Sequence, residues 1–309
     1  MTNKAVRRWE HGDPNWSAAG AVSVDQAYRY CAELASRHYE NFTVISWFVP
    51  SRLRPALAAI YAYCRGVDDL GDEWQGDRLA ALDWWGEELD RAYRGHPTHP
   101  VFVALGDVLR QHPLPREEFE KLVEANRRDQ VVTRYETIED LYDYCRHSAD
   151  PVGRLVLSLF GYHDPERKRL SDHICTALQL VNFLQDLGPD LARGRLYLPM
   201  QDLRRFGVDP DALLAGRPID ESRLAQAVAF EASRAQALFA AGAGLEAQVN
   251  WRLGRQLRLY RLGGLGILQG LAAIGYNSLR RRPTLSRAQK FSLAVGVLFG
   301  RTDAPPPRR

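Results

Sequence analysis

The sequence predicts an all-α protein, and three observations carry that expectation. After residue 21 apolar side chains recur at three- and four-residue intervals along almost the whole chain, no long alternating run of Val, Ile and Thr interrupts them, and Gly-Pro punctuation separates the periodic stretches. With 45% hydrophobic and 26% charged residues among 309, the chain can build an ordinary globular core. A polar, Trp-containing leader is expected over 1–21, one helical domain over 22–300 and a Pro- and Arg-rich tail over 301–309. Neither a repeat nor a dividing linker is visible within 22–300.

Taken in order, the first helix is expected over 24–39, with Ser23 as its cap. Pro50 and Ser51 open a second helix that runs through Leu57, Ile60, Tyr61 and Cys64 into an acidic cluster beginning at Asp68. Further helices are expected over 77–94, 100–111, 116–129, 138–147, 152–160, 165–187, 222–240, 252–281 and 286–300. The turns Gly95-His96-Pro97 and Gly216-Arg217-Pro218 separate two pairs of them. The most apolar stretch, 262–276, is shorter than a membrane span and is broken by Gln269 and several glycines, so it reads as a core helix.

A formal net charge of +3 is too slight to imply a nucleic-acid partner. The basic residues are unevenly spread, however, with Arg280, Arg281, Arg282, Arg287, Lys290, Arg301, Arg308 and Arg309 opposed after residue 279 only by Asp303. Contact with anionic headgroups and simple solvation both remain open for that end. Cys31, Cys64, Cys145 and Cys175 are scattered, with no Cys-x-x-Cys pair and no secretory leader. Reduced thiols, no disulfides and a cytoplasmic location are therefore expected, with peripheral contact at the inner face of a membrane left open.

Two acidic clusters carry the chemistry. One is Asp68-Asp69-Leu70-Gly71-Asp72-Glu73; the other places Gln179, Asn182, Asp186 and Asp190 at spacings of three and four. A four-residue recurrence stacks oxygen donors on one helix face roughly 6 Å apart. Such rows suit hard cations, and Mg²⁺ takes one or two carboxylates while filling its shell with water and phosphate oxygens. The candidate ligands are Asp68, Asp69, Asp72, Glu73, Asn182, Asp186 and Asp190. Alone, the first cluster also fits a solvated helix end, and Asn182 also fits a structural hydrogen bond within its apolar run. Their joint occurrence favours a shared metal and diphosphate site. Tyr61 and Arg65 share a helix face with Asp68, and Pro189 predicts a kink at Gly188, just before Asp190.

Together, the segments 61–73 and 179–199 resemble the squalene/phytoene synthase family, whose members join prenyl diphosphates head to head. The resemblance spans about 27–290. The segments 38–42, 134–137 leading into 144–154, and 275–283 are most similar to the bacterial hydroxysqualene synthases of hopanoid biosynthesis, the branch often labelled squalene synthase HpnC. It implies a single-domain isoprenoid-synthase fold with a central cavity, and several Mg²⁺ ions held with the substrate diphosphate. Catalytic roles are implied for Asp68, Asp72, Asp186, Tyr144 and Tyr276, and substrate contacts for His38, Tyr61, Arg65, Gln179, Asn182 and Arg195. Each has a plainer reading: a backbone-satisfied histidine, core tyrosines, or arginines paired with nearby carboxylates. Thr43 stands where the family pattern leads one to expect proline.

The reaction implied is ionisation of presqualene diphosphate, rearrangement of the cyclopropylcarbinyl cation and capture by water to give hydroxysqualene, with no nicotinamide cofactor. Two alternatives stay open: head-to-head condensation of farnesyl diphosphate, and a silent prenyl-diphosphate-binding scaffold for neighbouring pathway enzymes. A di-iron bundle would want Glu-x-x-His pairs, and none of the eight histidines has Glu three residues before it.

Overall fold

A computed structural model describes residues 22–37 and 48–300. The leader, the tail, His38 and Thr43 lie outside the described residues. Numbered along the described chain, the helices are α1 (Val24–Arg37), α2 (Arg54–Asp72, preceded by a 3₁₀ turn over Ser51–Leu53), α3 (Arg78–Arg94), α4 (Pro100–Gln111), α5 (Arg116–Arg128), α6 (Ile138–Ser148), α7 (Asp150–Leu159) and α8 (Pro165–Gln185). They continue as α9 (Leu187–Ala192), α10 (Met200–Arg205), α11 (Pro210–Leu214), α12 (Glu221–Gly242), α13 (Leu245–Gln248), α14 (Trp251–Ala273) and α15 (Arg287–Leu298). Among the described residues there is no strand, only an isolated bridge between Arg134 and Leu196, so the all-α expectation holds. All four cysteines are free, as expected. No described helix is long and apolar enough to cross a membrane.

The described residues divide into two compact units, one within 22–131 together with 151–163, the other 132–150 with 164–300. In the first unit Trp85, Tyr63, Phe102 and Phe119 form the core, each buried to 1% exposure or less. Their rings meet edge-on, with Trp85 and Phe102 centroids 4.5 Å apart and Tyr63 and Phe119 4.9 Å apart. The Tyr63 hydroxyl donates to the Phe119 carbonyl at 2.9 Å, so its burial leaves no polar atom stranded. Buried Glu88 accepts from the backbone N–H groups of Thr98 and His99, both at 2.9 Å, tying the loop before α4 to α3. His99 caps α4 through its ring, and burial pushes its pKa down to about 3, which keeps it neutral.

In the second unit α8 is the central helix, with α12, α14 and α6 packed on it and α15 packed on α14. The segments 133–136 and 195–201 run together: Leu196 N–H donates to Thr133 O at 2.7 Å, Met200 N–H to Tyr135 O at 3.0 Å and Gln201 N–H to Glu136 O at 3.0 Å. One buried charge cluster joins α10 to α12. The Arg234 guanidinium reaches Asp202 at 2.6 Å and Glu231 at 2.7 Å. Burial is the largest cause of a Glu231 pKa pushed up to about 7, with Arg234 opposing it and Asp202 adding to it.

Because the folded pKa lies above the unfolded one, this group costs nothing well below pH 4.5 and destabilises progressively as pH rises towards 7. Glu231→Gln is therefore expected to flatten that part of the pH dependence, worth on the order of 3 kcal/mol at full ionisation. Urea denaturation of both proteins at pH 5 and pH 8 reads it; an unchanged difference between the two pH values would refute the assignment.

Two helix ends differ from expectation. The helix expected over 252–281 stops at Ala273, because Gly275 and Tyr276 take φ of 64° and 59° and turn the chain out of the helix. The helix expected over 165–187 stops at Gln185, with Asp186 at φ −102°, ψ 17°. The break thus falls before Pro189 rather than at it. Pro189 sits in the first turn of α9, where a missing N–H breaks no intrahelical bond. The short helices α10, α11 and α13 were not expected; four to six residues are too few to show a period.

Candidate active site

In the first unit, the acidic cluster occupies the last turns of α2 and sorts into two rows. Arg65 pairs with Asp69 at 2.5 Å and with Glu73 at 3.2 Å, along the i, i+4, i+8 positions of one face. Asp69 is buried to 8% exposure, so this pair is largely shielded, whereas Glu73 is exposed. Asp68 and Asp72, one turn apart, form the second row. Asn126 on α5 donates to Asp68 at 3.2 Å, and it approaches so closely because Gly71 has no side chain. A Cβ on Gly71 would lie 2.2 Å from the Asn126 amide oxygen. Carboxylates at a helix C-terminus oppose the macrodipole. Arg78 supplies positive charge there, donating to the carbonyls of Asp72 at 3.0 Å and Trp74 at 3.1 Å.

In the second unit, Gln179 and Asn182 are half-buried on α8, and Asp186 caps its end. Arg282 grips both oxygens of Asp186 in a fork, with Nη2 to Oδ2 at 3.0 Å. The chain that carries Arg282 is strapped onto the same turn. Gln185 donates to the Pro283 carbonyl at 2.5 Å, and a Cβ on Gly188 would come within 2.8 Å of the Leu279 carbonyl oxygen. Tyr276, at the head of this strap, is half-buried and holds a positive φ, a conformation that costs a non-glycine residue ~1–3 kcal/mol and that clusters at functional sites.

The Asp190 carbonyl accepts from Arg193 N–H at 3.0 Å and Arg195 N–H at 2.9 Å, folding the following segment back over α9. Arg195 is buried at 9% exposure, and Tyr197 beyond it stacks on Phe183 of α8 at 4.1 Å with 8° between the rings. Tyr144 of α6 completes the cluster, 5.8 Å from Tyr197 and 6.1 Å from Phe183, with Tyr135 at 5.4 Å. Tyr144 is thus placed among aromatic faces, at 5% exposure.

The plainer reading of Arg65, a pair with neighbouring carboxylates, is what the structure displays. Sequence reasoning missed Arg282, Asn126 and the rings of Tyr135, Phe183 and Tyr197. Arg282 is one of three consecutive arginines and lies 96 residues from its partner, so no local spacing marks it. Phe183 and Tyr197 stood inside the quoted motifs without a role.

Every candidate ligand is an oxygen donor, the kind that suits Mg²⁺, while both oxygens of Asp186 are held here by Arg282. Among the described residues no three His, Cys, Asp or Glu gather around one point. Each row offers one or two carboxylates, the number Mg²⁺ takes when water and phosphate complete its shell.

An all-helical scaffold that carries acidic groups at the ends of two helices, backed by guanidinium groups and aromatic faces, is that of an isoprenoid synthase. The squalene/phytoene synthase family model matches residues 35–289, and the chain belongs to that family of head-to-head prenyl diphosphate synthases. It is 54% identical to squalene synthase HpnC from Alicyclobacillus acidocaldarius, whose crystal structure superposes with a TM-score of 0.77 over 82% of this chain and 96% of that one. The 15-cis-phytoene synthase of Synechocystis sp. is 32% identical over 295 residues, 90% of this chain and 86% of its own. A dehydrosqualene synthase, 24% identical, shares the fold with a TM-score of 0.80 over 89% of this chain and 96% of that one.

Proposed function

We propose that this protein is a hydroxysqualene synthase, converting presqualene diphosphate and water to hydroxysqualene and diphosphate with Mg²⁺ as its cofactor. The observation that carries the reading is the 54% identity to squalene synthase HpnC over 82% of the chain, well above the 32% shared with a phytoene synthase. Mg²⁺, held by Asp68 and Asp72 and by Asn182, Asp186 and Asp190, would neutralise the departing diphosphate. Arg195 adds fixed positive charge, strongest where water is excluded, as around this buried side chain, and Arg65 stands behind the first row balanced by Asp69 and Glu73. The aromatic faces around Tyr144 stabilise a carbocation without attacking it. Tyr276, held by its backbone rather than by rotamer choice alone, is a positioned polar contact for the reacting end. Capture by water consumes no reductant, so the reading needs no nicotinamide.

The 32% identity to a 15-cis-phytoene synthase over 90% of the chain favours a second reading, head-to-head condensation of farnesyl diphosphate. Purified protein incubated with Mg²⁺, without nicotinamide, and with either presqualene or farnesyl diphosphate separates the two by product mass spectrometry. Hydroxysqualene from presqualene diphosphate is expected. Presqualene diphosphate accumulating from farnesyl diphosphate would replace the first reading with the second, and turnover of neither would leave a prenyl-diphosphate-binding scaffold.

A further inference from the structure

The stretch 247–300 contains nine Arg or Lys residues and no Asp or Glu. Arg258 and Arg261 are paired with Glu246, Arg280 with Glu221 and Arg282 with Asp186. Of the others, Arg252 and Arg255 lie against Trp251 on α14, and Arg287 is exposed one turn before Phe291 on α15. α15 buries Leu293 and Val297, and on its opposite side Ala288, Phe291, Val295 and Phe299 recur at three- and four-residue spacing. Phe291 is 72% exposed and Phe299 82%. At the start of α14, Trp251 is 59% exposed, and the Arg255 guanidinium lies 5.0 Å from its ring while donating to the Leu298 carbonyl at 3.4 Å. One side chain therefore joins Trp251 to the end of α15 that carries Phe299. Among the described residues these are the exposed Phe and Trp side chains.

A solvated basic face has no use for exposed aromatics, and a large exposed apolar patch marks a binding surface. A second copy meeting this face through a two-fold axis would set arginine against arginine. Basic residues flanking Phe and Trp are the composition that seats a protein on anionic lipid, with the rings at the headgroup–acyl boundary and the cations at phosphates. We propose that this face docks on an anionic bilayer surface, with Trp251, Phe291 and Phe299 as the apolar anchors and Arg252 and Arg287 as headgroup contacts. The proposal does not depend on which product the enzyme makes.

Its test is co-sedimentation of the full chain with vesicles of phosphatidylcholine alone and of phosphatidylcholine with about one-third phosphatidylglycerol. Binding to the anionic vesicles is expected, weakened about tenfold or more by the double variant Phe291→Ser/Phe299→Ser. Arg252→Glu/Arg287→Glu, which leaves the apolar anchors intact, is expected to remove most of the salt-sensitive part. Absence of wild-type binding to the anionic vesicles overturns the proposal, as does equal binding by both variants. A dimer in sedimentation equilibrium that Phe291→Ser/Phe299→Ser dissolves would instead assign the face to a second copy.

Discussion

On the proposed reading, Asp186→Ala is expected to lower the rate of diphosphate release from presqualene diphosphate by about 10²–10³-fold or more, the scale on which a single group stabilising transition-state charge acts. Asp186 is the residue on which the second row turns: it caps α8, starts α9 and is held in a fork by Arg282. Little of that loss is expected to come from unfolding. The Arg282–Asp186 pair is partly exposed, 48% and 29% for the two side chains, so its contribution to stability is limited to ~1 kcal/mol. Turnover measured at saturating Mg²⁺ beside a thermal melt separates the two effects. Asp68→Ala is expected to behave alike, and wild-type turnover in either variant would refute the metal-ligand assignment.

Trp85→Ala is expected to destabilise the protein by about 3–5 kcal/mol, the range for removing a buried aromatic side chain. Trp85 is 1% exposed and touches three buried rings, Phe102 at 4.5 Å, Tyr63 at 5.6 Å and His99 at 5.6 Å. It also packs against α2 at Gly66, where a Cβ would lie 2.3 Å from the indole. The void would therefore open beside the helix that carries Asp68 and Asp72, and turnover is expected to fall along with stability. Urea denaturation gives the magnitude, and a loss below 1 kcal/mol would mean that the surrounding helices collapse into the space.

The helix inventory was largely legible because its signals are local. Ser23 forms the expected capping arrangement with Gln26, the Pro100–Gln111 helix has the predicted bounds, and Asp77 and Ser286 cap their helices. Where a local signal competed with packing, packing won. Pro189 suggested a kink at Gly188, yet the chain turns at Asp186, where Gly188 must lie against the Leu279 carbonyl and Gln185 must reach Pro283. The apolar run ending at Tyr276 gave no hint that α14 stops at Ala273, since a positive φ at a tyrosine is imposed by its surroundings and not by its propensity.

What the sequence by itself determined is the fold class and the family, because helical periodicity and motif residues are properties of a few adjacent residues. Tertiary structure alone decided that Asp186 is held by the Arg282 guanidinium and which amide Asp68 receives. It also decided that Tyr144 stands among Tyr135, Phe183 and Tyr197. The physical reason is chain separation. Asn126 is 58 residues from Asp68 and Arg282 is 96 from Asp186, and over such distances only the packing of helices brings a donor to its acceptor.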